Sequence, residues 1–212
     1  MIIFAITGTP GTGKTSVCKS KALGLEFMDL NKVIEEKGFY TGVDNERGCF
    51  IADLDKLKEY VKEEKEEKRG QKKGGNLLMV IESHLAHFLE PDVAIVLRAN
   101  PLLLADRLKK RGFSVQKIRE NVEAEMLDVI LAEAVELCGI VYEVDTSGKS
   151  IEEAAFTVRE IIDAEIEGES GKKEALREKY KPGSVDWTRH LTVTMKSVKC
   201  KVQSAKETII YS

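Results

Sequence analysis

Cysteine, proline and aromatic residues are all scarce in this 212-residue sequence, and no hydrophobic run is long. The four cysteines, Cys18, Cys49, Cys138 and Cys200, lie far apart with no C-x-x-C pair, which argues against a compact zinc site or a disulfide scaffold and leaves free thiols. With 4 prolines and 16 glycines the chain is not collagenous, and 42% hydrophobic with 33% charged residues is globular rather than disordered composition. The longest apolar runs, residues 1–6 and 77–81, fall far short of the roughly 20 residues that span a bilayer. Met1 opens directly into a strand-like run without a basic leader, so a soluble cytoplasmic protein, nuclear in a eukaryotic source, is expected, with no membrane partner. Neither sign of charge dominates: 33 Lys+Arg against 36 Asp+Glu gives −3, which by itself points to no polyanionic partner. The sum hides an asymmetry, because residues 171–212 hold 10 basic and 4 acidic side chains. Only Tyr180, Trp187 and Tyr211 are available there for stacking on bases, so a solvated tail is the plain reading and a nucleic-acid or acidic partner the alternative.

What is present is an alternation of apolar runs and helical periodicity. Residues 2–7 form a β-branched apolar run, followed at once by Gly8, Pro10, Gly11 and Gly13 and then by a helix-compatible stretch, 14–23. A short run at 26–28 precedes a helix near 31–37 and a polar turn region, 38–48. Residues 53–69 are helical by pattern (Leu54, Leu57, Val61) and dissolve into alternating Lys and Glu, with Gly70, Gly74 and Gly75 ending them. Runs 77–81 and 93–97 are apolar on both faces, as in strands buried in a parallel sheet. Pro101 suits the first turn of a helix, 102–110, and Ser114 suits the N-cap of a long helix reaching Leu137, although Lys117 stands where a capping box would have Glu or Gln. A last strand, 140–144, leads to Ser150 as the cap of a helix over 151–164. Strands separated by helices predict a three-layer α/β domain with a parallel sheet over 1–167, a linker at 168–184 and a C-terminal extension, 185–212.

Residues 8–15, GTPGTGKT, fit the pattern G-x-x-x-x-G-K-[ST] between a strand and a helix. Backbone N–H groups of such a loop point at phosphate oxygens, and the helix that follows adds its positive end. Lys14 would reach the β- and γ-phosphates, and Thr15 would offer a hydroxyl to Mg²⁺. Glu82, at the end of a neighbouring strand, is placed to hold the metal's water ligands, or is a surface carboxylate. His84 is a candidate for orienting a water or a phosphate, with a structural histidine as the alternative; His87 reads as structural. Phosphoryl transfer also needs positive charge along its path. Arg107 and Arg111, spaced i, i+4, are placed to close over a bound nucleotide, while Arg98 serves the same path or a structural ion pair.

Residues 8–15, VIESH at 80–84, VLRA at 96–99, RLKKRGF at 107–113 and NVEAE at 121–125 together resemble the atypical adenylate kinases of archaea and the eukaryotic nucleus, a family linked to small-ribosomal-subunit maturation. The resemblance covers about 1–164, and VDW at 185–187 resembles a short piece near the end of archaeal members. It implies a P-loop NTPase fold of the nucleoside-monophosphate-kinase type. It places Gly8, Gly11, Gly13, Lys14, Thr15 and Ser16 on the ATP phosphates, 31–54 as the monophosphate-binding region and 110–120 as the lid with Arg111 on ATP. Gly148 and Lys149 correspond to the adenine contact, and His84 to the histidine of the family's acidic-x-His motif. Departures are Glu82 where aspartate is usual, the charged insertion 63–73, and a tail after Trp187 that matches nothing in the family.

The expected activity is reversible transfer of the γ-phosphoryl of Mg-ATP to AMP, with Lys14, His84, Arg107 and Arg111 as the catalytic set. ATPase activity and small-subunit ribosomal protein or pre-rRNA partners are implied by the resemblance alone. The alternatives are a nucleotide-switched assembly factor and a kinase for another small acceptor.

Overall fold

The computed structural model describes residues 1–44, 49–71 and 78–187. The basic tail after Trp187, including Cys200 and Tyr211, and residues 45–48 and 72–77 lie outside the described residues, as do Gly74, Gly75 and the last two positions of the charged insertion.

The apolar runs become the centre of a five-stranded parallel sheet. Strand β1 (Ile2–Thr7) pairs with β5 (Leu78–Glu82) on one side and β6 (Val93–Arg98) on the other; β2 (Met28–Asp29) and β7 (Val141–Asp145) complete the order β2-β5-β1-β6-β7. The α/β fold expected from the sequence is therefore the fold observed. Alternate residues of β1 serve opposite layers: Phe4 and Ile6 meet Val158, Ile161 and Ile162 of α7 (Ile151–Glu167), whereas Ile3 and Ala5 meet Leu30 and Ile34 of α2 (Leu30–Lys37) and Leu57 and Val61 of α3 (Leu54–Gln71). Burial on both faces is why these strands read as unbroken hydrophobic runs. Helices α4 (Pro101–Lys110) and α5 (Val115–Met126) form a separate apolar unit around Leu104, Leu108, Ile118 and Val122 beside the sheet.

Four expectations need correction. Helix α1 (Lys14–Lys19) is shorter than 14–23, because Ser20 turns extended, its hydroxyl accepts from the Ala22 N–H, and Gly24 adopts φ 60°. The region 38–48 is not a plain turn: β3 (Tyr40–Asp44) and β4 (Cys49–Ala52) pair antiparallel, with Tyr40 stacked on Phe50 at 4.4 Å. The single helix from Ser114 to Leu137 is two, α5 and α6 (Val129–Leu137), broken at Asp128 with φ 55°. Asp128 leaves the helical path to pair with the buried Arg98. The stretch 168–184, read as linker, carries α8 (Ser170–Lys179), which buries Leu176 and brings Arg177 onto Glu165 at 2.8 and 3.0 Å. Glu165 in turn accepts from the Tyr142 hydroxyl at 2.6 Å, so α8 is fastened to the last strand. Beyond it, the Tyr180 carbonyl accepts from the Glu143 N–H of β7 at 2.7 Å.

The capping assignments hold where local chemistry decides. Ser114 caps α5 without a reciprocal partner, Asn100 caps α4 ahead of Pro101, and Ser150 with Glu153 forms a complete capping box at α7. Cys18 and Cys138 are buried free thiols. Among the described residues no helix is long and apolar enough to cross a membrane.

Candidate nucleotide site

At the carboxyl end of β1 the chain must reverse sharply, and glycine makes each step feasible. Gly8 sits at φ 132°, and a Cβ there would lie 2.2 Å from the Leu97 carbonyl oxygen, so this glycine lets the loop lie against β6. Gly11 and Gly13 also have positive φ, the second as the left-handed N-cap of α1. The Thr12 N–H and hydroxyl both donate to the Thr9 carbonyl, at 3.2 and 2.9 Å, closing the loop on itself. The first turn of α1 then points its free N–H groups into a cleft of about 990 Å³.

Lys14, the first residue of α1, is buried and folds back over the loop, donating to the Gly8 carbonyl at 2.6 Å and the Thr9 carbonyl at 3.1 Å. Burial lowers its pKa to about 8, against the opposing pull of Glu82 and Glu125. The Thr15 hydroxyl donates to Glu82 Oε2 at 3.0 Å. Burial raises the Glu82 pKa, while Lys14 and the Thr15 hydroxyl hold it down. A hydroxyl and a carboxylate side by side at the mouth of a phosphate loop are hard oxygen donors of the kind Mg²⁺ takes, and a few of them suffice, since that ion keeps several waters. No group of three or more His, Cys, Asp or Glu side chains able to hold a metal occurs among the described residues.

His84 lines the same cleft and is held neutral near pH 7, since burial and the neighbouring Lys14 push its pKa down to about 4. His87 does not join it: its Nδ1 meets the Thr7 hydroxyl and its Nε2 meets Glu133, each at 3.1 Å. Arg107 reaches the loop, donating to the Gly11 carbonyl at 3.1 Å. Arg111, one turn later, lies over the Phe113 ring at 5.1 Å and lines the cleft. Ser16 and Lys149 also line it; Gly148, at φ 70°, makes the turn before α7 without lining the cleft. Arg98 is on no phosphate path. It is 1% exposed and bound to Glu125, Asp128 and Glu143, the ion-pair alternative of the two sequence readings. In all, six basic side chains and two carboxylates line the cleft among the described residues.

The family model described as "AAA domain" matches residues 4–128. The chain is 45% identical over 188 residues to a protein of Methanosarcina acetivorans named "Putative adenylate kinase", a match covering 88% of this chain and 97% of that one. A protein of the same name from Methanocaldococcus jannaschii is 35% identical over 199 residues, covering 91% and 99%. The chain belongs to this adenylate kinase family. Among solved structures, shikimate kinase from Bacteroides thetaiotaomicron is similar at 16% identity and a TM-score of 0.46, covering 76% of this chain and 98% of that one.

Sequence reasoning missed several residues that this family member brings to the cleft. Thr146 donates to the Thr12 carbonyl at 2.9 Å and the Arg98 carbonyl at 2.8 Å, tying the loop to the end of β7. Asn31, Phe113, Lys117 and Asn121 are further members of the wall. Thr146 was discoverable, because ligands of open parallel sheets sit at the carboxyl ends of strands and Thr146 follows β7 directly. The others lie in segments already marked from the sequence, 31–54, 107–113, 110–120 and 121–125, but were not singled out within them as site residues.

Proposed function

We propose that this protein is an adenylate kinase that transfers the γ-phosphoryl of Mg-ATP to AMP, reversibly, giving two ADP. The observation that carries the reading is the cleft itself: a phosphate loop with an ammonium folded into it, walled by five further basic side chains against two carboxylates. The curated relatives carry the corresponding name.

ATP would place its phosphates on the free N–H groups of the loop and of the first turn of α1, displacing Lys14 from the carbonyls it now contacts and taking its charge in their stead. The adenine would meet Lys149 and the start of α7. Thr15, and Glu82 through water, would hold Mg²⁺, which would supply positive charge against that of the phosphates. AMP would enter beside residues 31–54, with Asn31 and His84 on that approach. No side chain must act as a strong base, since the attacking oxygen already belongs to a phosphate dianion. Arg107 and Arg111 would offset the negative charge that spreads over the equatorial oxygens, and closure of 110–120 would exclude water.

The experiment is a purified-protein assay of ATP against AMP, CMP, UMP and shikimate, reading diphosphate product and free phosphate. Two ADP formed per ATP and AMP consumed supports the reading; conversion of another acceptor in preference to AMP replaces it. Water in place of AMP is the second reading. It is favoured by a neutral His84 able to accept a hydrogen bond in the cleft, and it predicts phosphate release without AMP. The resemblance also implies a role in small-subunit maturation, which co-purification with a small-subunit ribosomal protein or pre-rRNA would test.

A further inference from the structure

A buried polar chain runs beneath the phosphate loop and leads out to the helix that continues the lid. Thr9, second residue of the loop, is 2% exposed, and its hydroxyl donates to Glu125 Oε2 at 2.5 Å. Its carbonyl is one of the two on which Lys14 rests. Glu125 is also 2% exposed and belongs to the last turn of α5. Its other oxygen accepts from Arg98 Nε at 2.8 Å and from the Ala99 N–H at 3.0 Å, and its own carbonyl accepts from Arg98 Nη2 at 2.9 Å. Strand β6, helix α5 and the phosphate loop are thus joined through one carboxylate.

We propose that Glu125 is a positioning residue for phosphoryl transfer, fixing the Thr9 peptide of the phosphate loop to the register of α5, so that loop and lid order together. The inference rests on the kinase reading above. A hydrogen bond to a buried carboxylate is among the stronger ones, and separating its partners without water leaves both unsatisfied. If α5 shifts while the loop stays, Thr9 and Glu125 both lose their partner; if they shift together, neither does. The arrangement therefore penalises every state in which a nucleotide orders the loop and the lid helix does not follow.

The test uses the full chain carrying Thr9→Val, which removes the hydroxyl at constant shape, and Thr9→Ser, which restores it. Hydrogen exchange over residues 115–126 is followed on adding Mg-ATP, alongside kcat, KM for ATP and the melting temperature. Wild type and Thr9→Ser are expected to gain protection in 115–126, while in Thr9→Val protection stays confined to the loop. The kcat of Thr9→Val falls about tenfold to a hundredfold, as for a misplaced reacting group. Its KM for ATP changes little, and its melting temperature falls, because the buried Glu125 carboxylate loses a donor. Should Thr9→Val not fold, the same loss in a folded Thr9→Ala, which also lacks the hydroxyl, supports the proposal, and wild-type behaviour of that variant overturns it. ATP-induced protection of 115–126 in Thr9→Val equal to wild type, or a Thr9→Ser as impaired as Thr9→Val, also overturns it. Exchange does not require turnover, so a wild type that makes no ADP from ATP and AMP removes the kinase reading and leaves the coupling to be judged by protection alone.

Discussion

Lys14 carries its charge where water reaches it poorly, and two backbone carbonyls stand in for solvent. Replacement by alanine removes the cation from the phosphate path while leaving a glycine-shaped loop whose other bonds are its own. Lys14→Ala is expected to keep its melting temperature within a few degrees and to lose on the order of a thousandfold in kcat, read in a coupled ADP assay. With its pKa lowered to about 8, the empty protein sheds the Lys14 proton as pH rises through that value, and triphosphate binding must restore it. Calorimetry at pH 8.5 in buffers of different ionisation enthalpy should therefore register proton uptake with ATP, and affinity should weaken from pH 7 to pH 9. For His84 the pH-dependent quantity is folding stability. Its folded pKa of about 4 lies below the ordinary 6.5, so between those values the unfolded chain binds a proton that the folded one refuses. Wild type should lose stability relative to His84→Gln as pH falls from 6.5 to 4, measured by urea unfolding at each pH.

At the scale of the element, what the sequence revealed is what neighbours in sequence decide. The capping box at α7 needs only Ser150 and Glu153, and both bonds form, at 3.1 and 2.8 Å. Ser150→Ala should cost about 1 kcal/mol, seen as a lower urea midpoint with an unchanged slope. The phosphate loop was legible for the same reason: its glycines, lysine and threonine act within eight residues. The break between α5 and α6 was not, because Asp128 turns aside for Arg98, thirty positions away. The β3–β4 hairpin escaped notice because Gly42 and Asp44 read as turn residues, and the stacking of Tyr40 on Phe50 is a cross-strand contact. Helix α8 buries little besides Leu176, so its exposed Ser, Gly, Lys and Glu have the composition of a linker. Thr9 to Glu125, the contact that joins the loop to α5, spans 116 positions and left no local trace.

At the scale of the whole molecule, α8 and the residues after it fasten the last strand. Glu165 is 8% exposed, and despite its burial the Arg177 and Tyr142 hydrogen bonds keep its pKa below the usual carboxylate value. Arg177→Ala should destabilise the protein by about 1 kcal/mol, checked by thermal unfolding; the effect is modest because the arginine side chain is 42% exposed and solvent replaces part of the pairing. The same fastening has a consequence for self-association. A parallel sheet ends in two outer strands, each offering main-chain groups to any passing polypeptide. Here one rim, β2, is two residues long, and on the other the Glu143 N–H is already taken by the Tyr180 carbonyl. A chain cut before Tyr180 would uncover that rim, and fibrillar stacking through β7 is the hazard such a truncation invites.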